Sequence, residues 1–254
     1  MRILAVGDIV AGPGLDRLKQ SLPKLKREKQ VDLCIVNGEN SAGGRGITRD
    51  AFDTITAYGA DIVTMGNHTW DNYQIYPLFD DPRVIIRPAN YPPGAAGCGY
   101  VEYDMGRESV CVINLMGRVA MEPLDCPFRA ADEILKKVTS KIIIVDFHAE
   151  ATSEKVAMGM YLDGRVSAVF GTHTHVMTAD ERILPGGTGY ISDIGMTGVI
   201  NSVIGMKPEV SLGRFLEKTP HKYEAAVGET MLNAVLFDID SEGKCASLER
   251  IIVQ

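Results

Sequence analysis

Eight side chains able to ligate a cation or move a proton stand at the ends of five short apolar runs. They are Asp8, Glu39, Asn40, Asn67, His68, His148, His173 and His175, and they include four of the chain's five histidines. The set offers carboxylate and amide oxygens and imidazole nitrogens but no thiolate. That mixture suits manganese, iron or zinc better than calcium or a structural zinc site. Singly, each signal is ordinary, because a strand-end Asp often only caps a turn and a lone buried His is usually a hydrogen-bonded core residue. The pair His173 and His175 is more specific: on an extended segment, residues two apart point to the same face and both can reach one site. Occurrence at five run ends together points to a shared centre.

The runs that must position these groups are residues 2–7 before Asp8, 32–36 before Asn37-Gly38-Glu39-Asn40, and 61–65 before Gly66-Asn67-His68. Two more are 141–147 before His148 and 166–170 before Gly171-Thr172-His173-Thr174-His175. Short continuous apolar runs bounded by turn residues predict strands buried on both faces. Periodicity between them predicts helices at 14–29, at 48–58 with Thr48 as N-cap, at 128–138, and at 152–161 led by Thr152 and Ser153 with Glu154 in the first turn. This alternation predicts an α/β domain whose polar clusters gather at the carboxyl ends of neighbouring strands. Residues 99–105 and 108–117, around Gly106-Arg107, predict a hairpin, as do 232–240 and 245–253 around Ser241-Glu242-Gly243-Lys244. The sheet is therefore mixed, or there are two sheets. Residues 185–213, rich in glycine and weakly periodic, predict loop.

With 254 residues, 45% of them hydrophobic and 23% charged, the chain has the composition of an ordinary globular protein, and one domain over 1–254 is expected. Lys plus Arg is 26 and Asp plus Glu is 33, a net charge of −7 that does not favour non-specific hold on a phosphate polymer. RNA as a partner is thus not indicated by charge, and a nucleotide would have to be held by a local site. Five cysteines, Cys34, Cys98, Cys111, Cys126 and Cys245, form no C-x-x-C pair and predict reduced thiols in a cytoplasmic protein. Asp8 interrupts the first apolar run before a signal-peptide core can form. No stretch approaches the roughly 18 apolar residues of a membrane span. A soluble, unexported protein is expected.

The blocks Gly7-Asp8, Gly38-Glu39-Asn40, Gly66-Asn67-His68, His148 and Gly171-Thr172-His173-Thr174-His175, in this order over residues 7–175, resemble those of the calcineurin-like metallophosphoesterases. More narrowly, Asn40-Ser41-Ala42-Gly43-Gly44, Asp146-Phe147-His148-Ala149-Glu150-Ala151-Thr152-Ser153-Glu154-Lys155 and Gly171-Thr172-His173-Thr174-His175-Val176 resemble the bacterial YmdB-type branch, and the similarity runs nearly the whole length. The resemblance implies a four-layer αββα sandwich, two mixed β-sheets flanked by helices, with 2′,3′-cyclic-nucleotide phosphodiesterase activity. It implies one metal ion held by Asp8, Glu39, Asn40 and His175 and a second held by Glu39, Asn67, His148 and His173, with Glu39 as the bridge. It makes His68 the proton donor to the leaving oxygen, and it implies a homo-oligomer. The chain departs from the wider superfamily at Val10, where Asp-x-His would supply a histidine, and Asn40 is the replacement ligand that the narrower branch shares. Glu39 stands where Asp is common, and Thr69 where an acidic residue is common. Metal identity stays open, with two iron or manganese ions per chain preferred to zinc or magnesium.

The chemistry fits independently of the family. Two cations about 3.5–4 Å apart need a shared carboxylate to offset their repulsion, and they can hold a hydroxide for in-line attack while neutralising a phosphate oxygen. A histidine, ordinarily with a pKa of about 6.5, suits protonation of the leaving alkoxide. The expected substrate is a small phosphodiester such as 2′,3′-cyclic AMP. Because metals and an acid serve monoesters equally, a phosphomonoesterase or nucleotidase with the same centre is one alternative. A regulatory scaffold binding protein or RNA partners is another. Among weaker candidates, Gly43-Gly44-Arg45-Gly46 is a flap whose Arg45 steadies phosphate or a plain turn. Arg87 and Arg118 are by default structural or surface residues, and His221 is a solvated histidine. Asp146 or Glu150 is expected to orient His148. Trp70 and Tyr73 either stack on a base or pack in the segment after His68.

Overall fold

The structure, a computed structural model, describes residues 1–81 and 83–254. In chain order the first elements are β1 (Arg2–Val6), β2 (Asp8–Ile9), α1 (Ala11–Lys29), β3 (Leu33–Asn37), α2 (Arg49–Ala57), β4 (Ile62–Thr64) and β5 (Val84–Ile86), with a 3₁₀ helix at Tyr73–Asp80. Next come β6 (Tyr100–Asp104), β7 (Ser109–Met116), α3 (Pro127–Leu135), β8 (Ile142–His148), α4 (Thr152–Leu162) and β9 (Ala168–Thr172). The last are β10 (Arg182–Ile183), β11 (Gly189–Ile191), β12 (Met196–Val199), α5 (Pro208–Glu217), β13 (Thr230–Ile239) and β14 (Cys245–Val253).

They form two mixed sheets. The first runs β2-β12-β13-β1-β3-β4-β5, with β14 on β13; the second runs β10-β11-β9-β8-β7-β6. Both contain a parallel set, β1-β3-β4-β5 and β7-β8-β9-β11, extended by antiparallel neighbours. The central strands are mostly apolar on both faces, and their residues divide by parity, as the two-residue period of a strand requires. In β1 and β3, Ile3, Ala5, Leu33 and Ile35 face the second sheet, where they meet Val110, Val112, Ile142, Ile144 and Phe170. Their neighbours Leu4, Val6, Cys34 and Val36 face the other way, against Leu18, Leu22, Phe52 and Ile55 of α1 and α2. The outer residues of β7 and β8, among them Cys111, Ile113, Val145 and Phe147, pack on Ala131, Ile134, Met158 and Leu162 of α3 and α4. Three cores therefore separate four layers, the αββα sandwich anticipated from the sequence.

The five anticipated runs are strands, and both hairpins form, β6 with β7 and β13 with β14. Thr48 caps α2 as expected, its hydroxyl accepting the Ala51 N–H at 3.2 Å. Two boundaries differ. Helix α1 starts at Ala11 rather than residue 14, with its first N–H bonded to the Asn40 carbonyl at 3.0 Å. Helix α3 stops at Leu135 rather than residue 138, whereas α4 starts at Thr152 with Glu154 in its first turn, as expected. The larger correction is 185–213, expected to be loop, which contains β11, β12 and most of α5. These strands have three and four residues, each including a glycine, and α5 buries only Ser211, so neither period is visible in the sequence. No helix among the described residues is long and apolar enough to cross a membrane.

Phe237 is fully buried in the layer between the sheets, 6.3 Å from the ring of Phe170. Replacing it with alanine is expected to lower unfolding free energy by about 3–5 kcal/mol, seen as a lower urea midpoint at unchanged m value. A loss below about 1 kcal/mol would mean that this layer does not hold the sheets together.

Candidate metal centre

The parallel strands of each sheet end together, because the register pairs Val6 with Val36, Asn37 with Thr64, and His148 with both Met116 and Thr172. The polar clusters that follow therefore lie along one edge where the two sheets meet. All seven anticipated ligands converge there in two groups that share Glu39. In one, the Asn40 amide lies 3.4 Å from Asp8 Oδ1, 3.3 Å from Glu39 Oε1 and 3.2 Å from His175 Nε2. In the other, His148 Nε2 lies 2.9 Å from Asn67 Oδ1, 3.0 Å from Glu39 Oε1 and 3.1 Å from His173 Nδ1.

The hydrogen bonds on the far side of each ring decide what the near side offers. The Thr172 hydroxyl donates to Asp146 at 2.7 Å, so it can only accept at the 2.9 Å contact with His148 Nδ1. That places a proton on Nδ1 and directs Nε2 into the cluster. His175 Nδ1 must donate to the Ile204 carbonyl at 2.9 Å, and His173 Nε2 faces the Glu150 carboxylate at 3.1 Å. All three rings thus turn their second nitrogen inward, the usual outer-partner arrangement of metal-binding histidines. Around His148 Nε2 three further lone-pair atoms converge, and Glu39, His148 and His173 each offer one ligand atom, all within 4.8 Å of one another. One proton can bridge two of these atoms, whereas a cation can ligate all four. For Asn40, a half-turn of the amide exchanges nitrogen for oxygen. The residues around Glu39, His148 and His173 fit a metal ion.

The charge of the side chains follows the same geometry. Burial alone would raise Glu39, but His148 and the N–H of His68 outweigh it and bring the carboxyl down to about 2. Burial would lower His148, and Glu39 instead raises it to about 9. Burial and the adjacent positive His148 push His173 down to about 3, leaving it neutral with its lone pair free. Burial raises Asp8 against the opposing pull of His175 and His148. Asp146, buried under Thr64 and Thr172, is pushed up to about 7, chiefly by burial.

Two local features make room for this. A Cβ on Gly66 would stand 2.4 Å from His148 Nε2 and 2.5 Å from Glu39 Oε2, so only glycine lets the strand end approach. The Asn37 side chain accepts the Glu39 N–H at 3.2 Å and turns the chain out of β3. The extended segment expected for His173 and His175 is not present. Strand β9 ends at Thr172, and the two histidines have φ of 105° and 65°, outside the range that side-chain-bearing residues ordinarily adopt. They reach one site because two left-handed residues curl the chain around Thr174.

Residues 4–251 match the family model described as YmdB-like protein. The chain belongs to the YmdB-like family. A relative from Bacillus subtilis (strain 168), named 2′,3′-cyclic-nucleotide 2′-phosphodiesterase, is 47% identical over 256 residues, covering 100% of this chain and 97% of the relative. A crystal structure of a hypothetical protein from Thermus thermophilus superposes with a TM-score of 0.96 at 42% identity, covering 100% and 99% of the two chains. A crystal structure described as a novel phosphatase from Mycoplasma pneumoniae gives 0.94 at 35% identity, covering 100% of this chain and 93% of that one.

In this YmdB-like chain, His68 lies beside the cluster: its N–H donates to Glu39 Oε2 at 2.9 Å, and its Nδ1 is 2.8 Å from Asp71 Oδ2. Asp71, three residues on, had a readable spacing and was not anticipated; Arg45 Nε lies 3.7 Å from the same oxygen. Thr172, Thr64 and the Ile204 carbonyl also went unanticipated, the last because a backbone acceptor leaves no sequence signal. Asp146 orients His148 only through Thr172, and Glu150 faces His173 instead. Arg87 is structural, buried among the carbonyls of Pro88, Ala95, Ala96 and Gly97. Arg118 is exposed, its N–H held by Glu154. His221 is not merely solvated, since Nε2 pairs with Glu217 at 2.9 Å. Trp70 packs among Tyr76, Phe79 and Tyr91, while Tyr73 is 78% exposed.

Thr172→Val removes the acceptor that sets the His148 tautomer and is expected to weaken metal binding by roughly 10–100-fold. Competition with a calibrated chelator measures this; unaltered affinity would remove Thr172 from the account. Gly66→Ala should abolish metal uptake in a protein that still folds.

Proposed function

We propose that this chain is a metal-dependent phosphodiesterase that hydrolyses 2′,3′-cyclic nucleotides, acting as one domain over residues 1–254. The observation that carries the reading is the convergence of lone pairs around Glu39, with His68 and Asp71 directly beside it. Asp8, Glu39, Asn40 and His175 would hold one metal ion and Glu39, Asn67, His148 and His173 the other. When bound, such a pair supplies Lewis acidity towards a phosphate oxygen and acidifies water. The remaining steps belong to side chains. Asp71 accepts from His68 Nδ1, which fixes the ring and leaves Nε2 to carry the proton. The bond from the His68 backbone N–H to Glu39 Oε2 holds this segment against the carboxylate that both sets of ligands would share. In a 2′,3′-cyclic diester the leaving group is a ribose oxygen still tethered to the product, and protonation by His68 prevents the ring from closing again. The activity named for the Bacillus subtilis relative supports the substrate class, and iron or manganese is the preferred metal. All five cysteines are free thiols, which suits a reducing compartment such as the cytoplasm. The word phosphatase in the description of the Mycoplasma pneumoniae structure favours a second reading, monoester hydrolysis at the same centre.

Hydrolysis of 2′,3′-cyclic AMP should require Mn²⁺ or, anaerobically, Fe²⁺, and should exceed hydrolysis of nucleoside monophosphates. The reverse order would favour the monoesterase. His68→Ala is expected to keep its metals and lose on the order of 10²–10⁴ in turnover, with Asp71→Asn losing less. Full turnover by His68→Ala would remove the acid assignment.

A further inference from the structure

Lys155 of α4 and Asp193, in the turn between β11 and β12, form an ion pair with Nζ 2.5 Å from Oδ2 and side-chain exposures of 2% and 1%. Two charges this deep are unfavourable unless each remaining donor and acceptor is used. Here they are used on the backbone of the metal centre. Lys155 Nζ also donates to the Thr172 carbonyl at 2.9 Å. Asp193 Oδ2 accepts the Thr174 N–H at 3.1 Å, and Oδ1 accepts the Gly195 N–H at 2.8 Å. The Gly195 carbonyl in turn accepts the Asp8 N–H at 3.1 Å. One carboxylate therefore holds the residue between His173 and His175 with one oxygen and the turn that seats Asp8 with the other. The loop it holds is the one with φ of 105° and 65° at its histidines, conformations that persist only where the surroundings over-determine them.

We propose that Lys155 and Asp193 are positioning residues. Together they set the His173-Thr174-His175 loop and fix it relative to Asp8, and so set the spacing of the two metal positions. The inference rests on the metal-centre reading above. Neither side chain touches a reacting atom; both act through backbone that carries ligands. Glu154, beside Lys155 on α4 and likewise buried, accepts the N–H groups of Arg118 and Val119, so adjacent residues of one helix brace two different loops at this sheet edge.

The test compares wild type with Asp193→Asn and with the double variant Lys155→Met/Asp193→Asn, in which both charges are removed and no lone charge stays buried. Each is loaded with Mn²⁺; metal per chain, the rate of loss to a chelator, the exchange-coupled electron paramagnetic resonance signal of the metal pair, and thermal melting are recorded. The expected result is a folded double variant whose metal affinity is lower by roughly 10–100-fold, with an altered or lost coupled signal. Its kcat falls while KM for 2′,3′-cyclic AMP stays near that of wild type. A folded double variant with wild-type metal retention and coupling overturns the inference and makes the pair a structural one. Wild-type protein that takes up no manganese pair overturns the metal-centre reading and this inference with it.

Discussion

The contact between Glu39 and His148 is the one on which the rest of this structure turns. Glu39 follows β3 of the first sheet, and His148 ends β8 of the second, so their 3.0 Å approach joins the two sheets at their carboxyl edges. Both side chains are essentially removed from water. Isolated charges in that position would be strongly unfavourable, and each is tolerated because the other, with Asn67, His173 and the His68 N–H, surrounds it with partners. A second bond across the sheets, from the Thr64 hydroxyl to Asp146, lies just behind the first. The apolar layer between the sheets supplies bulk cohesion without direction; these polar bonds specify how one edge faces the other.

Direction is passed outward through atoms that have only one way to bond. A hydroxyl that donates to a carboxylate must accept elsewhere, a carbonyl can only accept, and so the proton on each imidazole is assigned from outside the cluster. Thr172, Ile204 and Glu150 do this for His148, His175 and His173. None has to contact a substrate to influence chemistry, because a rotated or tautomerised ring would offer the cluster a proton where it needs a lone pair.

Much of this was legible in the sequence, and the gaps have physical causes. Strands β1, β3, β4, β8 and β9 are buried on both faces and read as largely apolar runs, so their ends and the polar clusters that follow could be placed without coordinates, while the resemblance supplied the choice of seven ligands among them. The curl at His173 and His175 could not, since positive φ at a non-glycine residue leaves no mark in residue type and is imposed by tertiary contacts such as the Asp193 bond to Thr174. Strands β11 and β12 were invisible for another reason: they are short and glycine-containing, and their pairing is set by neighbours distant in the chain. The burial of Lys155 was equally hidden, because the pattern of α4 does not reveal a buried charge whose partner lies 38 positions away.

The position of β1 has a consequence for how the protein is made. The first strand is flanked by β3 on one side and by β13, residues Thr230–Ile239, on the other. The His175 ring is set by a carbonyl at residue 204, and Asp8 is seated by Gly195. As the chain leaves the ribosome in amino-to-carboxyl order, Asp8 and Glu39 emerge well before Gly195, Ile204 and β13, which complete their surroundings. Such long sequence separations slow folding, because the loops must close before the contacts that reward closure exist. A nascent chain therefore leaves Asp8 and Glu39 open to solvent until the strands and turns that bury them have been made.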